Sequence, residues 1–110
     1  GPATRLQWGS GYLSALVELA PQDVARIEKA AAQVFAEAAQ DKAAFYERSA
    51  RSLQRVGNQL QKWGADGRQA AVLQRLQRQL DELCPRVDRA DGQRAACERL
   101  LKPAGGGKPA

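Results

Sequence analysis

The chain has 110 residues, of which 26% are charged and 5% are aromatic, and its formal net charge is +5. This length accommodates one small hydrophobic core, so we expect a single domain. The absence of histidine excludes a Ser-His-Asp triad, a Cys-His pair and an ordinary zinc site. No apolar stretch approaches the roughly 18 residues that a membrane-spanning helix needs.

The two ends of the sequence differ from its middle. Gly1 and Pro2 are typical of what an engineered protease site leaves behind, so residues 1–2 are set aside from the fold prediction. Residues 102–110 contain three consecutive glycines and two prolines, which is typical of a flexible tail. The predicted helical domain therefore spans residues 5–101.

In chain order, the first predicted helix covers residues 10–19 and follows Trp8. The second is the strongest prediction, because the apolar residues between Pro21 and Trp63 fall within an arc of about 100° at helical spacing. This pattern predicts one long amphipathic helix over about 21–63. The alternative is two nearly collinear helices with a weak point around Gln40–Asp41 or at Gly57.

Two shorter helices follow. The third is predicted over about 67–83, with leucines on one face and Asp66 as its N-cap. The fourth begins after Asp91, which is a candidate cap, and runs towards Pro103. Since strand patterns are absent, the predicted fold is all-α: a small helical bundle in which three shorter helices pack on the long one.

Cys84 and Cys97 are the only cysteines, and they fall at the end of the third predicted helix and within the fourth. A disulfide between them would close a loop of about 14 residues and stabilise so small a domain by about 3 kcal/mol. The sequence therefore predicts this bond and an oxidising, extracytoplasmic compartment such as a periplasm. The alternative is two reduced cysteines in a cytosolic bundle.

Positive charge is concentrated after residue 47. Residues 48–110 carry thirteen basic and six acidic side chains, and Arg48, Arg51 and Arg55 share one side of the long predicted helix. Arginine suits bidentate contacts to carboxylate or phosphate. The predicted partner-binding residues comprise these arginines, apolar side chains beside them and one tryptophan at the front of the chain. They are Arg48, Arg51, Arg55, Leu53, Val56, Leu60, Trp63 and Trp8.

These features favour a non-enzymatic, extracytoplasmic helical domain that binds another protein or a second copy of itself, as a sensor, assembly factor, adaptor or chaperone module would. No catalytic residue, cofactor or metal site is predicted. The alternative is a cytosolic basic protein that binds nucleic acid through its arginine-rich C-terminal half. A helix lying on a membrane surface ranks last, because the long apolar stripe is rich in alanine.

Overall fold

The structure is a computed structural model that describes residues 1–102, and the predicted tail lies outside them apart from Lys102. The fold is an all-α bundle, as the sequence predicts. Within the described residues it has five α-helices: α1 Pro2–Leu19, α2 Val24–Gln40, α3 Glu47–Trp63, α4 Ala70–Leu83 and α5 Gln93–Glu98. The first helix begins eight residues earlier than predicted, at Pro2, where a proline suits the first turn. Trp8 therefore lies inside α1.

The prediction of one long helix over 21–63 is wrong, because the chain breaks between α2 and α3. A straight helix of that length would measure about 64 Å, whereas the longest dimension of the molecule is 40 Å. The break falls at the Gln40–Asp41 position that the two-helix alternative names. Asp41 has extended backbone angles, and its carboxylate accepts a hydrogen bond from the Ala43 N–H at 2.9 Å. Ala44 and Phe45 are buried within the connection, so its apolar pattern stays in phase with both helices.

Helix α1 packs against both α2 and α3. Its inner face buries apolar side chains, among them Leu6, Leu13 and Val17, while a short connection returns the chain into α2. Gln59 of α3 donates a hydrogen bond to the Ser14 carbonyl of α1 at 3.1 Å. The core is thus enclosed between α1, α2 and α3 on one side and α4 on the other, where Leu76 and Leu80 are buried.

Two polar contacts join helix α4 to α2, and in both the paired residues are the same number of positions apart in the sequence. Arg75 forms a bidentate ion pair with Glu28, at 2.7 and 2.8 Å, and the Gln79 side-chain amide donates to the Ala32 carbonyl at 2.8 Å. Both pairs are separated by 47 residues, so the two helices run parallel. The hydrogen bonds from Arg75 hold the pKa of the Glu28 carboxyl below its usual value.

The turns before α4 and α5 have the same sequence and the same backbone. In each Ala-Asp-Gly segment, 65–67 and 90–92, the aspartate and the glycine both have positive φ. Glycine, and to a smaller extent aspartate, tolerates this left-handed conformation. Asp66 and Asp91 therefore form the turns, and neither makes the predicted capping hydrogen bond.

The chain after α5 lies against one face of α3. The Leu100 carbonyl accepts hydrogen bonds from the side-chain amides of Gln54 and Gln61, each at 3.3 Å, and Gln61 also donates to the Lys102 carbonyl at 2.9 Å. Between these glutamines, a Cβ atom at Gly57 would overlap the Leu100 carbonyl oxygen. Gly57 is therefore a close-packing position, and the alternative that it weakens the helix is wrong.

The predicted disulfide is confirmed. Cys84, at the end of α4, is bonded to Cys97 of α5, and their Cα atoms are 5.6 Å apart. Both side chains are buried, and α5 contacts α3 as well as α4. The bond holds α5 to the end of α4, three residues before the Leu100 contact with α3.

Candidate partner-binding groove

A groove of about 570 Å³ runs between α1 and α3. Leu6 from α1 and Leu53 and Val56 from α3 contribute its apolar floor, and all three side chains are largely buried. Serines from both helices line its walls: Ser10, Ser14, Ser49 and Ser52. The groove therefore offers an apolar base with hydroxyl groups above it.

Arginines border this groove on the α3 side. Arg48 and Arg55 line it, and Arg51 lies on the same exposed face of the helix at three- and four-residue spacing. The Arg55 guanidinium donates a hydrogen bond to the Ser52 hydroxyl at 3.1 Å. Within residues 1–102 the ion pairs are Arg26–Asp23 and Arg75–Glu28, so none of the three arginines of α3 forms an ion pair with a described carboxylate, although Asp41 also lines the groove.

Of the eight predicted partner-binding residues, the structure brings five to this groove or its border: Arg48, Arg51, Leu53, Arg55 and Val56. Leu60 is wholly buried in the core, so its predicted contact with a partner is wrong for this conformation. Trp63 is half-buried, and its indole N–H donates to the Pro21 carbonyl at 2.8 Å. This side chain fastens the end of α3 to the connection between α1 and α2.

Trp8 lies apart from the groove, on the outer face of α1, and is highly exposed. Its predicted role in partner binding remains a prediction. Two other parts of the site were absent from the sequence prediction. These are the contribution of α1 to the groove, through Leu6 and its serines, and the continuation of the exposed apolar face of α1 to Tyr12 and Leu19. The first-helix pattern contains the signal, since its apolar residues occupy both sides of the helix.

Residues 1–102 contain no group of three or more metal-ligating side chains, and none of their helices is both long and apolar enough to cross a bilayer. The groove combines an apolar floor, hydroxyl-bearing walls, an arginine border and the carboxylate of Asp41. Comparison of the chain with protein-family models, curated proteins and solved structures gives no match in any of the three.

Proposed function

We propose that this chain is a non-enzymatic, extracytoplasmic interaction domain that binds an acidic amphipathic segment of a partner protein in the groove between α1 and α3. One observation carries the proposal: three arginines, none in an ion pair with a described carboxylate, border a groove with an apolar floor and outnumber the one acidic residue of its lining, Asp41. An amphipathic helix binds such a groove with its apolar side on the floor. Carboxylates on its polar side would pair with Arg48, Arg51 and Arg55.

The extracytoplasmic compartment rests on the disulfide. Cys84 and Cys97 are both consumed in one buried bond, and structural disulfides persist in oxidising compartments. A sensor, assembly or chaperone module with a single binding groove fits these features. The absence of histidine, which excludes a Ser-His-Asp triad or a Cys-His pair, is the sequence basis for the non-enzymatic role.

The test is a binding titration with two synthetic peptide helices that share a leucine face and carry either glutamates or lysines on the other side. We expect the glutamate peptide to bind in the micromolar range, and Arg48→Glu/Arg51→Glu/Arg55→Glu to weaken it by at least about 10-fold. The matched control is Arg78→Glu/Arg86→Glu/Arg89→Glu, which makes the same charge change on exposed residues outside the groove lining. Equal binding of both peptides, or equal losses in both triple variants, would contradict the proposal.

The excess of basic residues after position 47 favours one other function, binding of nucleic acid. The same two triple variants separate it from the groove proposal. A nucleic-acid surface would bind generic duplex DNA with an affinity that falls steeply with salt, and both triple variants would weaken it. The groove proposal expects the duplex to bind no better than the lysine peptide does.

A further inference from the structure

The outer face of α1 is apolar over its whole length and is not covered by the described part of the chain. Trp8 is 74% exposed, Tyr12 43% and Leu19 81%, although all three are large apolar side chains. At helical spacing they share one face with small residues, and this face is called the outer stripe. The outer stripe consists of Thr4, Trp8, Gly11, Tyr12, Ala15 and Leu19.

The opposite face of α1 is already buried against α2 and α3. A helix that is apolar on both sides is typical of one that is covered on both sides. A shallow depression between Trp8 and Tyr12 is lined by α1 residues alone. At the edges of the stripe, Gly11 also lines the groove shared with α3, and Tyr12 lines a pocket with charged residues of α2, among them Arg26 and Lys29. The nearest charged residues of α1, Arg5 and Glu18, lie outside the stripe near its two ends.

We infer that the outer stripe is the interface of an antiparallel homodimer, with the two-fold axis between Gly11 and Tyr12. In that arrangement Trp8 lies at the height of Ala15 of the second copy, and Leu19 at the height of Thr4. Tyr12 lies at the height of Gly11. Each large side chain thus meets a small one, which lets the two helix axes approach closely.

A parallel pairing lacks this complementarity. It would place Trp8 against Trp8 and Leu19 against Leu19, and these bulky pairs would hold the two helix axes apart. The small residues would then face each other across gaps. The antiparallel pairing also sets the two helix dipoles in opposite directions, which is electrostatically favourable. Side-chain size and the helix dipoles therefore both favour the antiparallel orientation.

The available area fits a real but modest dimer. The three large side chains and their small neighbours expose on the order of 600 Å² per copy, which places the interface near the lower limit of about 1,200 Å² for stable complexes. Aromatic side chains at the centre of such an interface supply most of its affinity. We therefore expect a dissociation constant in the micromolar range.

Gly11 provides a variant for which the folded monomer has room. Because Gly11 also lines the groove, Trp8→Ala, which lies outside the groove lining, is needed beside it to assign a loss of dimer to the outer stripe. A Cβ atom at Gly11 would meet no other atom within 4 Å, so the folded monomer has space for a side chain there. Gly11→Arg places a charge beside the two-fold axis, close to the same charge of the second copy. Ala71→Arg adds the same charge at an exposed position of α4 and is the matched control.

The experiment is sedimentation velocity of the full chain from about 1 to about 500 µM, a range that brackets a micromolar dissociation constant. We expect a reversible dimer, weakened at least about 30-fold by Gly11→Arg and by Trp8→Ala. Ala71→Arg should leave the dimer unchanged, and circular dichroism should show that all three variants are folded. A monomer at every concentration would overturn the proposal, as would equal weakening by Ala71→Arg.

Two cysteine variants test the orientation. On mild oxidation Tyr12→Cys should form a disulfide between the two copies, because residues beside the two-fold axis lie within bonding distance. Thr4→Cys should remain uncoupled, since its counterpart lies at the far end of the antiparallel helix. Equal coupling of both variants would indicate a parallel pair and overturn the antiparallel assignment. Tight binding of the monomer to neutral phosphatidylcholine vesicles through Trp8 would assign the stripe to a membrane surface and also overturn the dimer.

Discussion

Two helix faces of this molecule each carry a glycine, and their surroundings are opposite. On α3, Gly57 is pressed against the Leu100 carbonyl, and Gln54 and Gln61 donate to that same oxygen. On α1, Gly11 faces open space between exposed apolar side chains. The first glycine allows a contact within the chain, whereas the second leaves room for a contact outside it. Glycine in a helix is costly by itself, so its neighbours decide what it contributes.

The largest expected effect comes from releasing the segment that covers α3. Reduction of the Cys84–Cys97 bond should lower stability by about 3 kcal/mol, because the reduced chain loses the constraint on its unfolded state. For a domain of this size the melting temperature should fall by roughly 10–20 °C. Thermal unfolding followed by circular dichroism, with and without reductant, measures this fall.

The control for that melt is the Cys84→Ser/Cys97→Ser variant, whose melting temperature should not respond to reductant. A reductant effect of similar size in this variant would show that the thiol reagent acts elsewhere. An unchanged melting temperature in the native chain would contradict a stabilising role for the bond.

Replacement of the α3 glycine should have the next largest effect. Gly57→Ala should destabilise the fold by about 1–3 kcal/mol, because the new methyl group overlaps the Leu100 carbonyl and forces the C-terminal segment away from α3. This loss exceeds the gain of up to about 1 kcal/mol that alanine brings to a helix. Urea unfolding gives the difference directly, and a stabilised variant would show that the contact with Leu100 is loose in solution.

The corresponding replacement on α1 should have the opposite sign and a smaller size. Gly11→Ala should stabilise the monomer by about 0.5–1 kcal/mol, since the methyl group meets no atom and alanine lowers the entropy lost on folding. The measurement is urea unfolding well below the dimer dissociation constant. Destabilisation at that dilution would mean that the outer stripe is covered within the monomer.

The smallest expected effect comes from removing the Glu28–Arg75 ion pair. Measuring this effect at two pH values also shows whether the stability changes of the two glycine variants depend on charge. Because the pKa of Glu28 is lowered in the folded state, the Glu28–Arg75 pair stabilises the fold above the usual carboxyl pKa of 4.5. That contribution should disappear as pH falls through the lowered folded pKa. The melting temperature of Arg75→Gln should therefore be slightly lower than that of the native chain at pH 7. In strong acid the two melting temperatures should be equal. The Gly57 and Gly11 differences should persist at both pH values.

Much of the fold follows from the sequence because its helical periodicity is strong. The fold class and the pairing of the two cysteines both follow from local pattern and spacing. The break between α2 and α3 lies at the Gln40–Asp41 position of the alternative prediction. The continuous helix was preferred because the buried Ala44 and Phe45 continue the apolar pattern through a connection that is not helical. The spacing of apolar residues predicts which residues are buried. It does not by itself distinguish one continuous helix from two helices whose apolar faces are in phase.

The site was predictable in part for the same reason. The arginines of α3 share an exposed face, which spacing alone indicates. The other wall of the groove comes from α1, more than thirty residues earlier in the chain, and only tertiary packing brings Leu6 towards Leu53. Leu60 belongs to the same apolar pattern as Leu53 and is buried to a similar degree, but only Leu53 lines the groove. Spacing along the helix does not distinguish these two positions.

The contact between Gly57 and Leu100 also limits how this sequence can change over evolutionary time. Position 57 admits one residue type as long as the C-terminal segment crosses α3 there, because any side chain would displace a backbone carbonyl. The amide donors at 54 and 61 can be exchanged only for other groups that reach the same oxygen. In diverged descendants of this chain these three positions should change together or not at all, whereas Gly11 is free to drift in any lineage that gives up self-association.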